Sequence, residues 1–247
     1  MTRETRLLDI QGRHFVLGPR TWLMGVINVT PDSFSDGGLY LDTDKAVARG
    51  LELAFEGADI IDVGGESTRP GSRPIPESEE MQRVVPVIQA VRGRTSALLS
   101  VDTTKAAVAR AALDAGADIV NDTSALRSDP AMAGVVARSE AGVVLMHMQG
   151  TPLTMQDAPR YDDLLGEIGA FLTERIRAAA AAGIPAERVI VDPGIGFGKS
   201  FEDNLELLRR QEVFHALGRP LLMGISRKSF LGTILDLPPA ERLEGTI

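Results

Sequence analysis

No cysteine occurs in the 247 residues of the chain. That excludes disulfides, thiolate nucleophiles and cysteine metal sites, and it suits a reducing cytoplasm. No apolar run approaches the ~18 residues of a membrane span, and the opening MTRETRLLDIQG holds no apolar leader segment. Positive charge is in deficit: 26 Lys and Arg against 34 Asp and Glu leave a net charge of −8. Such a surface repels nucleic acid and anionic membranes, so neither is expected as a partner, and any anionic ligand needs local positive groups. Histidine is sparse, and His14, His147 and His215 lie too far apart in sequence to suggest a metal cluster. No linker, low-complexity tract or charge block divides the chain. This predicts one domain over residues 1–247, close to the ~250 residues of a (β/α)8 barrel.

What is present is an alternation. Short apolar, β-branched runs at 22–28, 59–65, 97–102, 118–122, 143–148, 189–194 and 220–226 are separated by stretches with helical spacing. The runs are apolar on both faces, as buried parallel strands require. Between them Met81, Val84, Val85, Ile88 and Val91 fall on one helical face, as do Leu164, Ile168, Phe171, Leu172 and Ile176. Asp129-Pro130 reads as an N-cap with proline at the first helical position, and Gly183 with Pro185 as a helix stop. Strands alternating with helices imply a parallel α/β fold. Seven strand units are countable, one short of a closed barrel, and residues 6–18 read as a β-hairpin ahead of the first.

The polar residues fall at the carboxyl ends of the strands: Asn28, Asp62, Asp102, Asn121, the Met146-His147 pair, Asp192, and Ser226 with Lys228. In a barrel these ends converge on one face, where active sites lie. Any one Asp could simply cap a helix, but a whole ring of costly carboxylates argues for a ligand. Two strand ends open into Gly-, Pro-, Ser- and Thr-rich loops at 28–38 and 64–72, the second carrying Arg69. Hydroxyls, amides and an Arg suit a phosphate group, and Asp or Asn oxygens suit Mg²⁺. The sequence GIGFGKS at 194–200 suggests a P-loop, but the pattern needs glycine where Pro193 stands. Gly194, Gly196 and Gly198 are instead expected to let a loop pass close to a flat ligand.

Six motifs occur in order: MGVINVTPDSFSDGG, IDVGGESTRPGS, SVDTTK, LMHMQGTP, VDPGIGFGKS and GISRKSFLG. Together they resemble the motif set of the dihydropteroate synthases over about residues 22–235. The resemblance implies a TIM (β/α)8 barrel and an SN1-like condensation of 6-hydroxymethyl-7,8-dihydropterin diphosphate with p-aminobenzoate, releasing pyrophosphate in folate biosynthesis. It assigns the pterin to Asp102, Asn121, Met146, Asp192 and Lys228, with Asp102, Lys228 and Arg69 supporting the chemistry. Thr68 and Arg69 would hold the diphosphate, and Asn28 its Mg²⁺. Phe34, Pro70, Phe197, Lys228 and Ser229 would form the p-aminobenzoate pocket, the site at which sulfonamides compete. A cytoplasmic homodimer is expected by the same resemblance. So is an eighth strand beyond the helix that begins after Pro238-Pro239; its lack predicts a barrel with two unpaired edges. The competing readings are the pterin-binding domain of a methyltetrahydrofolate methyltransferase, which would not need the two diphosphate loops, and a non-catalytic paralogue, against which the intact Arg69, Asp102 and Lys228 argue.

Overall fold

The computed structural model describes residues 4–30, 39–68 and 71–246. Its first element is the expected hairpin, β1 (Arg6–Ile10) paired antiparallel with β2 (Arg13–Leu17). The turn is Gln11-Gly12, with φ of +51° and +71°, the two-residue geometry whose twist matches its strands. Six parallel strands follow in sequential order: β3 (Met24–Asn28), β4 (Ile60–Gly64), β5 (Leu98–Asp102), β6 (Ile119–Asp122), β7 (Gly142–Met146) and β8 (Val189–Asp192). Helices α1 (Leu39–Phe55), α2 (Glu77–Arg92), α3 (Ala106–Asp114), α4 (Met132–Ser139), α5 (Leu164–Ala181) and α6 (Phe201–Arg209) each follow a strand. Beyond them lie α7 (Ser229–Leu235) and α8 (Leu243–Thr246). Sequential parallel order with a helix after every strand is the winding of a TIM barrel.

The period-2 alternation sorts each strand into two faces. Ile61, Val63, Leu99, Val101, Val120, Val143, Leu145, Val189 and Val191 pack outward against the helices. Ile60, Leu98, Ile119, Val144 and Ile190 meet inside, where Leu8 and Ile10 of the hairpin close the bottom of the barrel. Asp118 fastens this plug: it accepts from Arg13, from Arg92 at 2.6 Å and from the Leu99 N–H at 2.8 Å, and is buried. Removing it strands a buried amide and two guanidinium groups that are partly solvated. We therefore expect Asp118→Ala to lower unfolding free energy by about 2–4 kcal/mol in urea titrations, with activity retained in the folded fraction. A change below about 0.5 kcal/mol would show that the plug is held by its apolar contacts alone.

One expectation is corrected and a second is extended. The run at 220–226 is no strand; it makes a single parallel bridge, Leu221 to Val191, with Val191 N–H donating to Pro220 and Leu222 N–H to Val191. Extending that ladder in either direction needs an N–H from Pro193 or Pro220, and neither has one. The apolar alternation still places Leu222 inside and Leu221, Met223 and Ile225 outside. The second concerns Asp129. Its Oδ1 accepts the Ala131 N–H at 2.9 Å just ahead of α4, which starts at Met132, as the Asp129-Pro130 pair predicts. Its Oδ2 also accepts the Ala106 N–H at 2.8 Å, capping α3 from a neighbouring unit. The stop at Gly183 holds, with α5 ending at Ala181.

Candidate active site

One step up each inner face, the side chains turn polar. Ile60 is followed on its face by Asp62, Leu98 by Ser100 and Asp102, Ile119 by Asn121, and Ile190 by Asp192, while Val144 is followed by Met146. The register places Asn28 beside Gly64, Gly64 beside Asp102, and Asp102 beside Asn121. The barrel therefore brings Asn28, Asp102, Asn121, Met146 and Asp192 to its carboxyl-end mouth, as the sequence predicts.

Burial and charge then set the protonation behaviour. Asp102 sits among carboxylates; burial foremost, then the charges of Asp62, Glu80, Asp122 and Glu66, hold its carboxyl well above the ordinary range. Burial also pushes Asp192 up, opposed by a 2.7 Å hydrogen bond from the Gly194 N–H and by Lys228 and Lys199. Lys228 is pulled the other way: burial lowers its ammonium, while Asp192 and Asp102 both favour the charge. Its stem runs over Gly196, where a Cβ would come within 3.1 Å, and its Nζ lies 4.2 Å from the Phe197 ring centroid. Lys228, Asp102 and Asp192 thus form one electrostatic unit, walled on one side by Phe197 with Met146, Met148 and Met155.

The remaining predicted residues are less concentrated. Thr68 is half-buried in the loop after β4. Ser229 is exposed at the start of α7 and lines a cleft of about 270 Å³ with Gln156, Lys199 and Asn204; Asp102, Asn121 and Asp192 are not among that cleft's walls. Phe34, Arg69 and Pro70 lie outside the described residues.

Three features escape sequence reading. The lysine of GIGFGKS, set aside with the P-loop, is buried: Lys199 Nζ meets His147 Nδ1 at 3.0 Å and the Phe197 carbonyl at 2.9 Å. Burial lowers its ammonium to about 7. His147 is thereby structural, with its ring lowered to about 3 by burial and by Lys199, and packed edge-on against Phe171. Two of the glycines beside it, Gly194 and Gly198, serve the close approach of two loops. A Cβ on Gly194 would stand 2.0 Å from the His147 carbonyl, and one on Gly198 would stand 2.5 Å from that of Gln149. Finally, Lys105 bridges Glu66 and Glu80 under the loop that carries Thr68, and Glu66 also accepts from the Ile75 N–H at 2.7 Å. Only the Lys at the end of SVDTTK could have hinted at that brace.

Among the described residues no group of three His, Cys, Asp or Glu could hold a metal ion. Asn28 offers a single amide oxygen at an exposed strand end. That donor set suits a hard cation that arrives with phosphate oxygens and keeps most of its own water, and it does not suit a resident structural metal.

Residues 24–247 match the family described as pterin binding enzymes. The chain belongs to that family. A dihydropteroate synthase of Synechocystis sp. is 47% identical over 233 residues, covering 94% of this chain and 81% of the relative. The dihydropteroate synthase of Xanthomonas albilineans, solved with 4-aminobenzoic acid, superposes with a TM-score of 0.90 at 48% identity, covering 98% of this chain and 86% of that one. That of Yersinia pestis, in a sulfonamide drug complex, gives 0.88 at 44% identity, covering 97% and 86%. Among the described residues no helix is long and apolar enough to cross a membrane.

Proposed function

We propose that the barrel mouth holds a pterin edge-on between Asp192, Asn121, Asp102 and Lys228 while p-aminobenzoate approaches past Phe197. The activity is dihydropteroate synthesis, a transferase step of folate biosynthesis, and the observation that carries the residue assignment is the Asp102–Asp192–Lys228 unit. A 2-amino-pyrimidinone edge presents two parallel N–H donors. Asp192 can accept both, since its carboxylate is already oriented by the Gly194 amide. Lys228 lies close enough to Asp192 and Asp102 to donate to the pterin carbonyl and a ring nitrogen, and Met146 supplies a soft face for the ring.

The reaction needs no enzyme nucleophile. The methylene C–O bond breaks with its electron pair leaving on the diphosphate, the amine nitrogen of p-aminobenzoate attacks the pterin methylene cation, and the new C–N bond forms with loss of the amine proton. The negative field of Asp102 favours the cation, and Thr68 and Arg69 would hold the leaving group, as in the motif the chain shares with its family. Phe34, Pro70 and Ser229 would complete the p-aminobenzoate pocket. Asn28 would help hold Mg²⁺, which, when bound with the diphosphate, neutralises the leaving oxygens. The working form is one barrel domain per chain, paired as a cytoplasmic homodimer, which light scattering during gel filtration would show.

Supplying both substrates and measuring dihydropteroate and pyrophosphate tests the reading; no product would end it. EDTA should abolish turnover and added Mg²⁺ restore it, whereas full activity in EDTA would remove Asn28 from any metal role. A sulfonamide should raise the apparent KM for p-aminobenzoate and leave that for the pterin substrate unchanged, because its aniline and sulfonyl groups mimic the amine and carboxylate. Inhibition that persists at saturating p-aminobenzoate would contradict a shared pocket.

A further inference from the structure

We propose that Asp62, one layer below the barrel mouth, is a positioning residue that fixes the amide of Asn121 and so decides which atoms of that amide meet the pterin. This rests on the reading that Asn121 touches the pterin. Asp62 occupies the middle inward position of β4, level with Ser100 across the ladder, and is 3% exposed. Beneath it lies the apolar layer of Ile60, Leu98, Ile119, Leu8 and Ile10. Packing alone gives no reason for a carboxyl group there, and burying one is costly unless it does something specific.

Its Oδ2 accepts a hydrogen bond from Asn121 Nδ2 at 3.1 Å. Its Oδ1 is buried, and the Ser100 hydroxyl, level with Asp62 across the ladder, also favours the carboxylate. Ionised, or protonated on Oδ1, Asp62 offers only an acceptor at Oδ2, which selects the Nδ2 end of the amide. Burial raises the Asp62 carboxyl, while the hydrogen bonds of Ser100 and Asn121 favour its charged form.

An asparagine amide is nearly the same shape after a half-turn about its last bond, and only its partners tell oxygen from nitrogen. With Nδ2 directed at Asp62, Asn121 presents its Oδ1 and the second amide proton to the mouth, in that order and no other. A pterin carries ring N–H donors and ring nitrogen acceptors on the same edge. A reversed amide would set donor against donor and acceptor against acceptor. Asp62 therefore acts on affinity without touching the ligand.

A double-mutant cycle read in 6-hydroxymethylpterin affinity, by calorimetry on the full chain, tests this. Asp62→Leu, which keeps the volume and removes both acceptors, should weaken binding by about 10- to 100-fold, and Asn121→Ala by a similar factor. The double variant should then bind no more weakly than Asn121→Ala alone, within about threefold. The KM for p-aminobenzoate of Asp62→Leu should stay near that of the parent and its thermal midpoint should not fall, which a general packing defect would not allow. Additive losses, or an Asp62→Leu variant that binds like the parent, would overturn the proposal. Unchanged affinity in Asn121→Ala would instead overturn the pterin-site reading on which it rests. Should Asp62→Leu not fold, ¹⁵N-labelled parent protein gives the answer. One Asn121 side-chain amide proton should exchange slowly with solvent, and two rapidly exchanging protons would refute the contact.

Discussion

Asp192→Asn is expected to weaken pterin binding by about 2–4 kcal/mol, roughly 30- to 1000-fold, while leaving the protein folded. The loss has two sources. A carboxylate offers acceptors to both N–H donors of the pyrimidinone edge, whereas asparagine offers one acceptor and turns a donor toward the other. The substitution also removes the negative charge that favours the ammonium of Lys228, which burial already lowers. The fold should survive because the asparagine oxygen can still take the 2.7 Å hydrogen bond from Gly194. Removing a buried carboxylate also relieves the desolvation that holds its proton affinity high. Calorimetry with a pterin and a thermal melt on the same sample check both halves. Near-native affinity would take Asp192 out of the site.

Lys228→Met should lower kcat/KM for the pterin substrate by about 10²- to 10³-fold, the usual loss of a preorganised charged donor. Methionine keeps most of the stem that lies over Gly196 and beside Phe197, so the effect reports charge rather than a cavity. The parent's pH profile carries a second signature. Burial lowers Lys228 and raises Asp192 and Asp102. As pH falls, the two aspartates take up protons above the ordinary carboxylate range and the acidic limb moves toward neutrality. As pH rises, Lys228 loses its charge below the ordinary lysine range and the alkaline limb moves down to meet it. The window of activity is therefore narrower than solvent-exposed groups would give. In Lys228→Met the alkaline limb should disappear, and in Asp192→Asn the acidic limb should shift. A variant with more than a tenth of parental kcat/KM, or an alkaline limb that survives the loss of Lys228, would exclude this role.

The local chemistry was readable in one dimension. Alternation of β-branched runs with amphipathic stretches fixes strand–helix order, because each period matches one backbone geometry. Polar residues just past each apolar run mark the mouth, because in a parallel barrel every strand ends at the same side. Asn28, Asp102, Asn121, Met146, Asp192 and Lys228 were all legible in this way. What spacing could not show came from distant partners. Asp129 precedes a helix and meets the Ala131 N–H at its start, yet its other carboxylate oxygen serves α3, 23 positions away. The run at 220–226 has the composition of a strand, but prolines at 193 and 220 remove the N–H groups its ladder would need.

The sequence by itself determined the order of elements, the inward and outward faces of each strand, and the set of polar groups delivered to one end. Only the tertiary structure decided how those groups act on one another. Lys199, given no role once the phosphate-loop pattern failed at Pro193, is a buried brace on His147 and Phe197. Asp62 looked like one more strand-end carboxylate and holds the Asn121 amide from 59 positions away. Glycines that suggested a ligand's approach make room for the carbonyls of His147 and Gln149. Spacing along a chain fixes which face of its own element a side chain occupies. Hydrogen-bond partners and proton affinities depend on what other elements bring within a few ångströms, and on how much water that approach removes.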